Sequence, residues 1–302
     1  MPVALAQEGS FGFGLQAQKG TFVSPTTWLP LMHAGGDNDG DGLQLRKNYT
    51  LFDLADSNDY ESRYYSAGEW AEGEVTVPLI PGALTNLLAW IQDRDAQNQG
   101  RWASVVTDCV NEVKKLTDVK VRKATIDMIK GEPVSCVLDL AGLRLQSGVT
   151  PSPNLPIAAP YVFREATVEI AKGGGGIAED LHCERIRLVI DNAVERVSEG
   201  MRLAPSLTPC QLYNLAGVRC VGAFSRDFVD NAIYADFGNG VEAALVITLS
   251  RGEATAVISL PRILYTASDL GLPGAHEKRI VEKVDFVALG SIDGLTAPVL
   301  LV

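Results

Sequence analysis

Two runs in which apolar and polar residues alternate constrain the fold of this chain more than any other feature. They span residues 119–145 and 243–264 and show the period of two that a half-buried β-strand requires. Each run is interrupted by one turn, Lys-Gly-Glu at 130–132 and Arg-Gly-Glu at 251–253. We therefore predict two long β-hairpins. Because proline cannot donate a ladder hydrogen bond, the returning strand of the second hairpin is expected to end at Pro261 or to lie at an edge there.

Each hairpin is preceded by a strand and a short helix, so the same order of elements occurs twice. The first copy begins with a strand at 73–79, and the second with a strand at 218–223 that is predicted to bend at Gly222. Ser225 is predicted to cap the second helix and Gly240 to end it. Residue identity between the copies is low, but the shared order predicts a duplicated, mainly β fold with one short α-helix in each unit. The inward face of the first helix would carry Leu84, Leu87, Leu88 and Ile91, and that of the second Phe228, Val229, Ala232 and Ile233.

The composition bounds the class of protein. With 302 residues, 46% of them hydrophobic, the chain can bury one large core or two ordinary ones. The formal charge of −11 argues against wrapping nucleic acid with a basic surface, whereas an acidic wall would leave DNA free to slide past it. The sequence has no run of 18 apolar residues and no signal-peptide pattern, so we expect a protein outside the membrane, made in a cytoplasm.

The boundary between the two units is predicted in a proline-rich stretch. Residues 147–160 hold four prolines, which is typical of an extended linker. We therefore divide the chain into an N-terminal unit, 1–150, and a C-terminal unit, 151–302. The first unit would begin with an extended arm leading into a short strand near 26–31, and it would carry a long loop at 35–70.

Within that loop, residues 43–70 contain many aromatic and charged side chains with weak periodicity. Aromatic side chains are enriched in contact surfaces, so this segment predicts an interface. The alternative is a strand pair whose aromatic side chains pack on their own unit. In a further alternative, Tyr60, Tyr64, Tyr65 and Trp70 would form a sugar-binding platform.

Two patterns resemble ligand-binding loops without meeting their chemical requirements. Asp37, Asp39 and Asp41 match the start of a calcium loop, but Asn48 stands at its twelfth position, where a bidentate Glu is needed. A flexible acidic turn is therefore predicted there. The glycines at 173–176 are not followed by the Lys-Ser/Thr of a phosphate-binding loop, and they are predicted to form a hairpin tip.

No catalytic, cofactor-binding or metal site is predicted, and we expect a protein that is not an enzyme. The three histidines lack a partner at the spacing of a zinc motif, and a GxGxxA pattern at 12–17 has no buried strand before it. The five cysteines have no CxxC spacing and are interpreted as reduced core thiols. Two groups of carboxylates are interpreted as solvated surface. The residues considered were His33, His182, His276, Gly12, Gly14, Ala17, Cys109, Cys136, Cys183, Cys210, Cys220, Glu69, Glu72, Glu74, Asp53, Asp56 and Asp59.

Several segments, taken in their order along the chain, carry a resemblance to a known family. They are QEGSFGFG at 7–14, the strand ending Trp-Leu-Pro-Leu at 28–31, RIRLVIDNAVE at 185–195, GAFSRDFVDNAIYADFGNG at 222–240, SLPRILYTAS at 259–268 and KVDFVALGS at 283–291. Together they resemble the tail tube (major tail) proteins of long-tailed bacteriophages. The resemblance covers most of residues 160–291 and is thinner before them, and the loop at 35–70 has no counterpart in the family pattern.

The resemblance implies a structural virion protein whose β-sandwich units assemble into rings that stack as a hollow tail tube. Strands of neighbouring subunits would complete an inner β-barrel, which removes exposed sheet edges. Genomic DNA would pass through the lumen without specific binding, and the partners would be other copies, tape-measure protein and tail-tip or terminator proteins. The protein would be found in the virion tail, and in the host cytoplasm during assembly.

A duplicated chain would form a trimeric ring with pseudo-sixfold symmetry rather than a hexamer. The hairpins at 119–145 and 243–264 would then be equivalent parts of the wall. Two other interpretations stay open. One is a tail terminator, a baseplate hub ring or the tube of a contractile injection system, and the other is a carbohydrate-binding β-sandwich.

Overall fold

The structure is a computed structural model, which describes residues 9–32, 43–52, 63–108, 113–146, 152–172, 174–196, 212–271, 279–290 and 300–301. These residues form seventeen strands and two α-helices, so the predicted mainly β class is confirmed. In chain order the elements are β1 (Ser10–Leu15), β2 (Thr27–Pro30), β3 (Gln44–Phe52), β4 (Arg63–Pro78), α1 (Leu84–Gln92), β5 (Ala103–Asp108), β6 (Val113–Ile129), β7 (Ser135–Leu145), β8 (Ala166–Ala171), β9 (Ile177–Glu179), β10 (Cys183–Asp191), β11 (Val194–Arg196), β12 (Leu212–Asn214), β13 (Arg219–Asp227), α2 (Ala232–Asn239), β14 (Ala243–Arg251), β15 (Ala254–Gly271), β16 (Val281–Ala288) and β17 (Leu300–Leu301).

Nearly all of these strands pair in one antiparallel sheet. Its order is β2-β1-β5-β6-β10-β13-β16-β15-β14-β8-β9, and β7, β4 and β3 branch from the other edge of β6. The branch is possible because β6 is 17 residues long, so its first part pairs with β5, its second part with β10, and its opposite edge with β7. Among the described residues this pairing does not close into a barrel. β11 and β12 form a separate two-stranded sheet.

Both predicted hairpins are confirmed, with their turns at 130–132 and 251–253. Of the two alternatives for Pro261, an end of the strand is wrong, since β15 continues to Gly271. The pairing of β15 with β16 begins only at Ile263, after the proline. The register between β14 and β15 shifts between the pairs Leu245↔Leu260 and Ala243↔Ile263, so β15 has one extra residue at this point. The missing N–H of proline is therefore accommodated in a β-bulge instead of ending the strand.

The strand before the second helix is longer than predicted. β13 continues straight through Gly222 and Ser225 to Asp227, because it is hydrogen-bonded along both edges, to β10 and to β16. The predicted bend at Gly222 and cap at Ser225 are therefore wrong. A Cβ atom on Gly222 would lie 2.3 Å from Cζ of Phe286, so glycine is needed here to make room for an aromatic ring.

The two helices are short; the buried face of α1 is as predicted, whereas that of α2 is confirmed only at Ile233. α1 buries the four predicted side chains and also Trp90. α2 begins only at Ala232; it buries Ile233 as predicted, whereas Val229 lies before the helix and is exposed. Gly240, with φ of 64°, ends α2 as predicted. Among the described residues, no helix is both long and apolar enough to cross a membrane.

The predicted N-terminal arm contains a strand of the main sheet. β1 lies between β2, the short strand that was predicted, and β5. A Cβ atom on Gly12 would lie 2.6 Å from the ring of Trp28, and one on Gly14 would lie 2.7 Å from the carbonyl oxygen of Ser24. The glycines at 12 and 14 therefore allow close packing between β1 and the chain that returns beside it.

Residues from both predicted units contribute to the same sheet and the same core. β6 pairs with β10 over seven residues, from Arg185↔Ile129 to Asp191↔Lys123. Buried apolar side chains from β1 to β16 form one cluster. Tyr161 donates its N–H to the carbonyl oxygen of Leu79 and accepts the N–H of Val134. The division at residue 150 stays a prediction.

Candidate functional site: the hairpin turns and the two ends of the sheet

The turn of the second hairpin, residues 251–253, rests on a short segment at 160–165 that follows the proline-rich stretch. The guanidinium group of Arg251 donates hydrogen bonds to the Glu165 carboxylate at 2.9 Å and to the carbonyl oxygen of Pro160 at 2.6 Å. Both partners precede β8, which pairs with β14 of the same hairpin. The 160–165 segment therefore holds this turn from outside the hairpin itself.

The turn of the first hairpin is attached to the same segment. Phe163 donates its backbone N–H to the carbonyl oxygen of Glu132 at 3.2 Å. A 3-10 turn spans Phe163–Glu165, and β8 begins directly after it at Ala166. The two hairpin turns, far apart in sequence, are thus held by one six-residue stretch of backbone and its side chains.

The two hairpins differ in the face that they turn away from the core. On the first hairpin this face includes the charged residues Lys123, Asp127 and Asp139. On the second, the part of this face between the turn and the bulge carries only small uncharged side chains, and the Arg262–Glu242 ion pair lies beyond the bulge. The uncharged side chains are Ala244, Val246, Thr248, Ser250, Thr255, Val257 and Ser259. The depletion of charge on the second face is typical of the centre of a protein–protein interface.

The strands β6, β10, β13, β16 and β15 lie side by side and define two ends of the sheet. At what we call the first end, β10 begins and β13 finishes, with Cys183 opposite Arg226. At the second end, β10 finishes and β13 begins, with Asp191 opposite Arg219. A buried cation lies behind each end, Arg226 at the first and Lys120 at the second.

Arg226 is held by two buried carboxylates. Its Nη1 donates to Oδ2 of Asp180 at 2.6 Å, and its Nε lies 3.5 Å from Oε2 of Glu282. Asp180 also accepts a hydrogen bond from Nζ of Lys172 at 2.5 Å and one from the backbone N–H of His182 at 3.0 Å. The cluster therefore connects β13, β16, the end of β8 and the β9–β10 turn.

The two carboxylates of this cluster respond differently to burial. Burial alone would raise the pKa of Asp180, but the hydrogen bonds from Lys172 and His182 and the charge of Arg226 outweigh it, so this pKa lies below its ordinary value. Burial raises the pKa of Glu282, and the charge of Arg226 and a hydrogen bond from Ser268 offset this only in part. Asp180 therefore holds its charge firmly, whereas Glu282 is the easier of the two to protonate.

At the second end, Asn192 joins parts of the chain that are far apart in sequence. Its Nδ2 donates to the carbonyl oxygens of Ile91 in α1 and Val121 in β6, both at 3.0 Å. Its Oδ1 accepts a hydrogen bond from the guanidinium group of Arg94. Asn192 belongs to the Asp-Asn strand end of the 185–195 segment. Its amide therefore attaches the end of β10 to α1 and β6.

Lys120 is buried close by without a carboxylate among its hydrogen-bond partners. Its Nζ donates to Oε1 of Gln99 at 3.2 Å, to the carbonyl oxygen of Leu212 at 3.0 Å and to Oδ1 of Asn214 at 2.9 Å. The same nitrogen lies 4.5 Å from the ring centroid of Trp102, a cation–π distance. All three N–H groups of the ammonium therefore have acceptors.

Burial lowers the pKa of Lys120 to about 8. That pKa value already includes the neighbouring charges of Arg94 and Lys19, which also lower it, and the charge of Asp95, which opposes them. Because its acceptors are neutral, the cost of removing this ammonium from water is only partly recovered.

Side chains attach the separate β11–β12 sheet to the rest of the protein. Asn214 donates to the carbonyl oxygen of Asn192 at 2.8 Å and accepts the backbone N–H of Gly100 at 2.9 Å as well as the ammonium of Lys120. A small apolar cluster adds to this attachment: Ala141, Leu143, Val194 and Leu212, with Trp102 against it. The position of β11–β12 thus depends on one polar network and a small patch of apolar contact.

The segment predicted as an interface contains the strand pair that was its alternative. β3 and β4 pair from Gln44↔Glu72 to Phe52↔Arg63. Trp70 is stacked under Arg196, whose guanidinium carbon lies 3.5 Å from the ring centroid, so one face of this indole is already occupied. Tyr64 and Tyr65 lie in β4, and Tyr60 lies outside the described residues. The role of this segment as an interface stays a prediction.

Most of the other residues considered from sequence either lie on the surface or cannot be described. The calcium-like aspartates 37, 39 and 41 lie outside the described residues, as do 53, 56 and 59, His33, His276, Cys109 and Cys210. The predicted tip at 173–176 lies between β8 and β9, which pair with each other. Among the residues that the structure describes, no group of three or more His, Cys, Asp or Glu side chains could hold a metal ion.

The core-thiol interpretation is confirmed for the three cysteines within the described ranges. Cys136, Cys183 and Cys220 are free and buried. Burial raises the pKa of each thiol to about 12, which keeps it protonated and unreactive at neutral pH.

The buried cations were missed by sequence reasoning. For the Arg226 cluster, the one sequence signal was a charged residue on an otherwise apolar strand face. Glu282, for example, alternates in register with Val284, Phe286 and Ala288, all of which are buried. Such a break in the pattern indicates a buried charge only when an opposite charge can be placed next to it, and sequence spacing does not supply that partner.

A scan against protein-family models found no match to this chain, and a search of curated proteins found none either. A functional proposal therefore rests on the geometry above and on the segments that resemble tail tube proteins.

Proposed function

We propose that this chain is a structural virion protein that polymerises as stacked rings into the hollow tail tube of a bacteriophage. The observation that carries the proposal is the attachment of both long hairpins to the 160–165 segment through Arg251–Glu165 and Phe163–Glu132 contacts. This attachment would let the two hairpins, β6–β7 and β14–β15, act as one rigid part of the tube wall. The ordered set of segments that resemble tail tube proteins supports the same conclusion.

The wall would be completed by neighbouring copies. The uncharged, half-exposed face of the second hairpin suits contact with another subunit. Among the described residues, β2, β3 and β9 stand at ends of the strand order, and pairing or covering such edges in a ring would protect them from random association. If the two hairpins are equivalent wall elements, a ring of three chains has pseudo-sixfold symmetry.

The lumen would conduct DNA without binding it. A chain of formal charge −11 repels phosphate, so a wall made from it favours sliding over attachment. Tape-measure protein would occupy the lumen before ejection, and terminator and tail-tip proteins would close the two ends of the tube.

Negative-stain electron microscopy of the concentrated protein, with rotational averaging of end-on views, tests the proposal. We expect hollow tubes or stacked rings whose averages have three chains per ring. Six chains per ring would contradict the duplication but not the tube. Single rings that never stack would favour a terminator or hub ring, and monomers that stay dispersed even with added tail tips as seeds would contradict the proposal.

A further inference from the structure

The first end of the sheet carries an exposed apolar patch formed by Leu181, Val229 and Ile280. Five of the ten large apolar side chains that are exposed among the described residues lie at the two ends of the sheet, and three of the five are here. Leu181 is the most exposed of the three, at 79%. Isolated exposed apolar side chains need no explanation, but a group at one edge of the molecule indicates a contact site.

The backbone segments that carry these three residues are joined to each other. The Asp227 N–H donates to the carbonyl oxygen of His182 at 3.1 Å, and the Phe228 N–H donates to that of Ile280 at 3.0 Å. The segments that carry the patch are therefore hydrogen-bonded side by side.

The Arg226 cluster lies directly behind this patch. Asp180 immediately precedes Leu181, and Glu282 follows Ile280 by two residues. The ion pairs thus fix the segments of the patch before any partner binds, which lowers the entropic cost of binding.

The second end carries the other two exposed side chains, Tyr213 and Leu215. They alternate on β12 and its continuation with the buried Leu212 and Asn214, so both point to the same, outward side. The Leu215 N–H donates to the carbonyl oxygen of Ala193 at 3.0 Å, which attaches this patch to the point where β10 has ended.

The charges around the two patches are complementary. The surroundings of the first patch are acidic, with the five carboxylates of Glu132, Glu179, Glu184, Asp227 and Asp230 against the three cations of Lys130, Arg185 and Arg279. The surroundings of the second are slightly basic, with the three cations of Lys123, Arg196 and Arg219 against the two carboxylates of Asp191 and Glu195. Complementary charge favours contact between unlike ends and disfavours contact between two first ends.

We propose that the first-end patch of one copy docks on the second-end patch of the next copy, so that copies of this chain join head to tail. A contact between two different surfaces of the same chain leaves one surface free at each end of the assembly and therefore propagates without closing. This inference rests on the proposed function, because it identifies the contact by which successive rings would stack.

Two variants, each altered at one end, test the head-to-tail arrangement. Leu181→Asp buries a charge in the first-end contact, and Leu215→Asp places a carboxylate against the acidic first end of the next copy. Both side chains are exposed, so we expect the melting temperature to be unchanged. Each variant alone should need at least about tenfold more protein to form stacks, as measured by sedimentation velocity and electron microscopy.

Mixing the two variants gives the distinguishing result. Leu215→Asp keeps an intact first end and Leu181→Asp an intact second end, so the mixture should form pairs of subunits or pairs of rings that do not grow further. Ile157→Asp is the matched control, since Ile157 is 104% exposed and lies in the proline-rich stretch away from both patches. It should stack as the unaltered chain does.

Three outcomes would overturn the inference. Variants that stack normally while the unaltered chain forms tubes would reject these patches and leave the tube proposal intact. The head-to-tail arrangement would be rejected if one variant alone formed pairs. It would also be rejected if the mixture of the two variants formed no pairs. An unaltered chain that never associates would contradict both this contact and the tube.

Discussion

Arg226 and Lys120 are both buried cations, each behind one end of the same sheet, but their surroundings differ. Arg226 faces the carboxylates of Asp180 and Glu282. Lys120 faces a glutamine, an asparagine and a backbone carbonyl, all neutral, and the ring of Trp102. The first end is therefore stabilised by opposite charges, whereas the second is stabilised by hydrogen bonds from a charge without a counterion.

This difference determines what each end can tolerate. Removing one partner of a buried ion pair leaves an uncompensated charge, which costs more than the pair itself contributes. At the second end the charge is already uncompensated, so the ammonium loses its proton more readily than an ordinary lysine. We expect the first end to be sensitive to mutation and the second to be sensitive to alkaline pH.

The largest effect is expected for Asp180→Asn. It leaves Arg226 and Lys172 without their shared carboxylate, so the free energy of unfolding should fall by about 3–4 kcal/mol in urea titrations of the unassembled subunit. Glu179→Gln, an exposed neighbour in β9, is the control and should change it by less than about 0.5 kcal/mol. A loss below about 1 kcal/mol for Asp180→Asn would remove the distinction between the two ends.

The pH dependence of Lys120 is the next largest effect. Its pKa is about 8 in the folded state and 10.5 ordinarily, so between these values the unfolded chain binds more protons than the folded one. Unfolding free energy therefore rises with pH in this window, by up to about 3 kcal/mol. Comparing wild type with Lys120→Met from pH 7 to pH 10 isolates this rise, which the variant should lack. If the unfolding free energies of wild type and Lys120→Met change in parallel with pH, Lys120 is not a buried ammonium in the folded state.

At pH 7 the same Lys120→Met substitution should cost less than Asp180→Asn. It removes three hydrogen bonds and a cation–π contact but also the cost of burying the ammonium, so a loss of about 1–2 kcal/mol is expected. A loss equal to that of Asp180→Asn would indicate that both ends depend on charge alike. Hydrogen exchange of β11 and β12 should report the change first, because Lys120 binds the Leu212 carbonyl directly.

The smallest effect is expected for Glu282→Gln. Because the pKa of Glu282 is raised on folding, the folded state binds its proton more tightly, and wild-type stability falls as pH rises from the ordinary glutamate value through the folded one. In this variant Arg226 keeps its 2.6 Å hydrogen bond to Asp180, and the glutamine avoids the cost of burying the Glu282 charge, so the unfolding free energy should lie within about 1 kcal/mol of wild type at pH 7. The fall in unfolding free energy with rising pH that Glu282 causes should also be absent from this variant. If the pH dependence of stability is unchanged by the substitution, that fall belongs to the titration of another group.

Some features of the fold could be predicted from sequence because their signal is local. The turns at 130–132 and 251–253, the buried face of α1 and the strand at 183–190 all follow from the spacing of apolar residues and from turn chemistry. The errors arose where a neighbouring strand overrode the local signal. Gly222 accommodates the ring of Phe286 instead of bending the chain, and Pro261 lies in a bulge instead of ending β15.

The candidate site was far less predictable than the fold. Asn192 belongs to a segment that carried the family resemblance, but its hydrogen bonds to Ile91 and Val121 join positions 101 and 71 residues away in sequence, respectively. Neither Asn214, in β12, nor Asp180, after β9, is distinguished by its sequence context, because single amides and carboxylates are common on any surface. Whether such a group is buried and paired depends on which strands lie beside it.

The sequence by itself determined that this chain forms long hairpins with one buried face, because alternation along a strand assigns each side chain to a face wherever the strand is placed. Only the tertiary structure decided that both hairpin turns rest on residues 160–165 and that Arg226 meets Asp180 and Glu282. Those contacts join segments that are distant along the chain. Coulombic and hydrogen-bond energies depend on distances in space, and for such segments these are set only when the sheet curls and its strands pair.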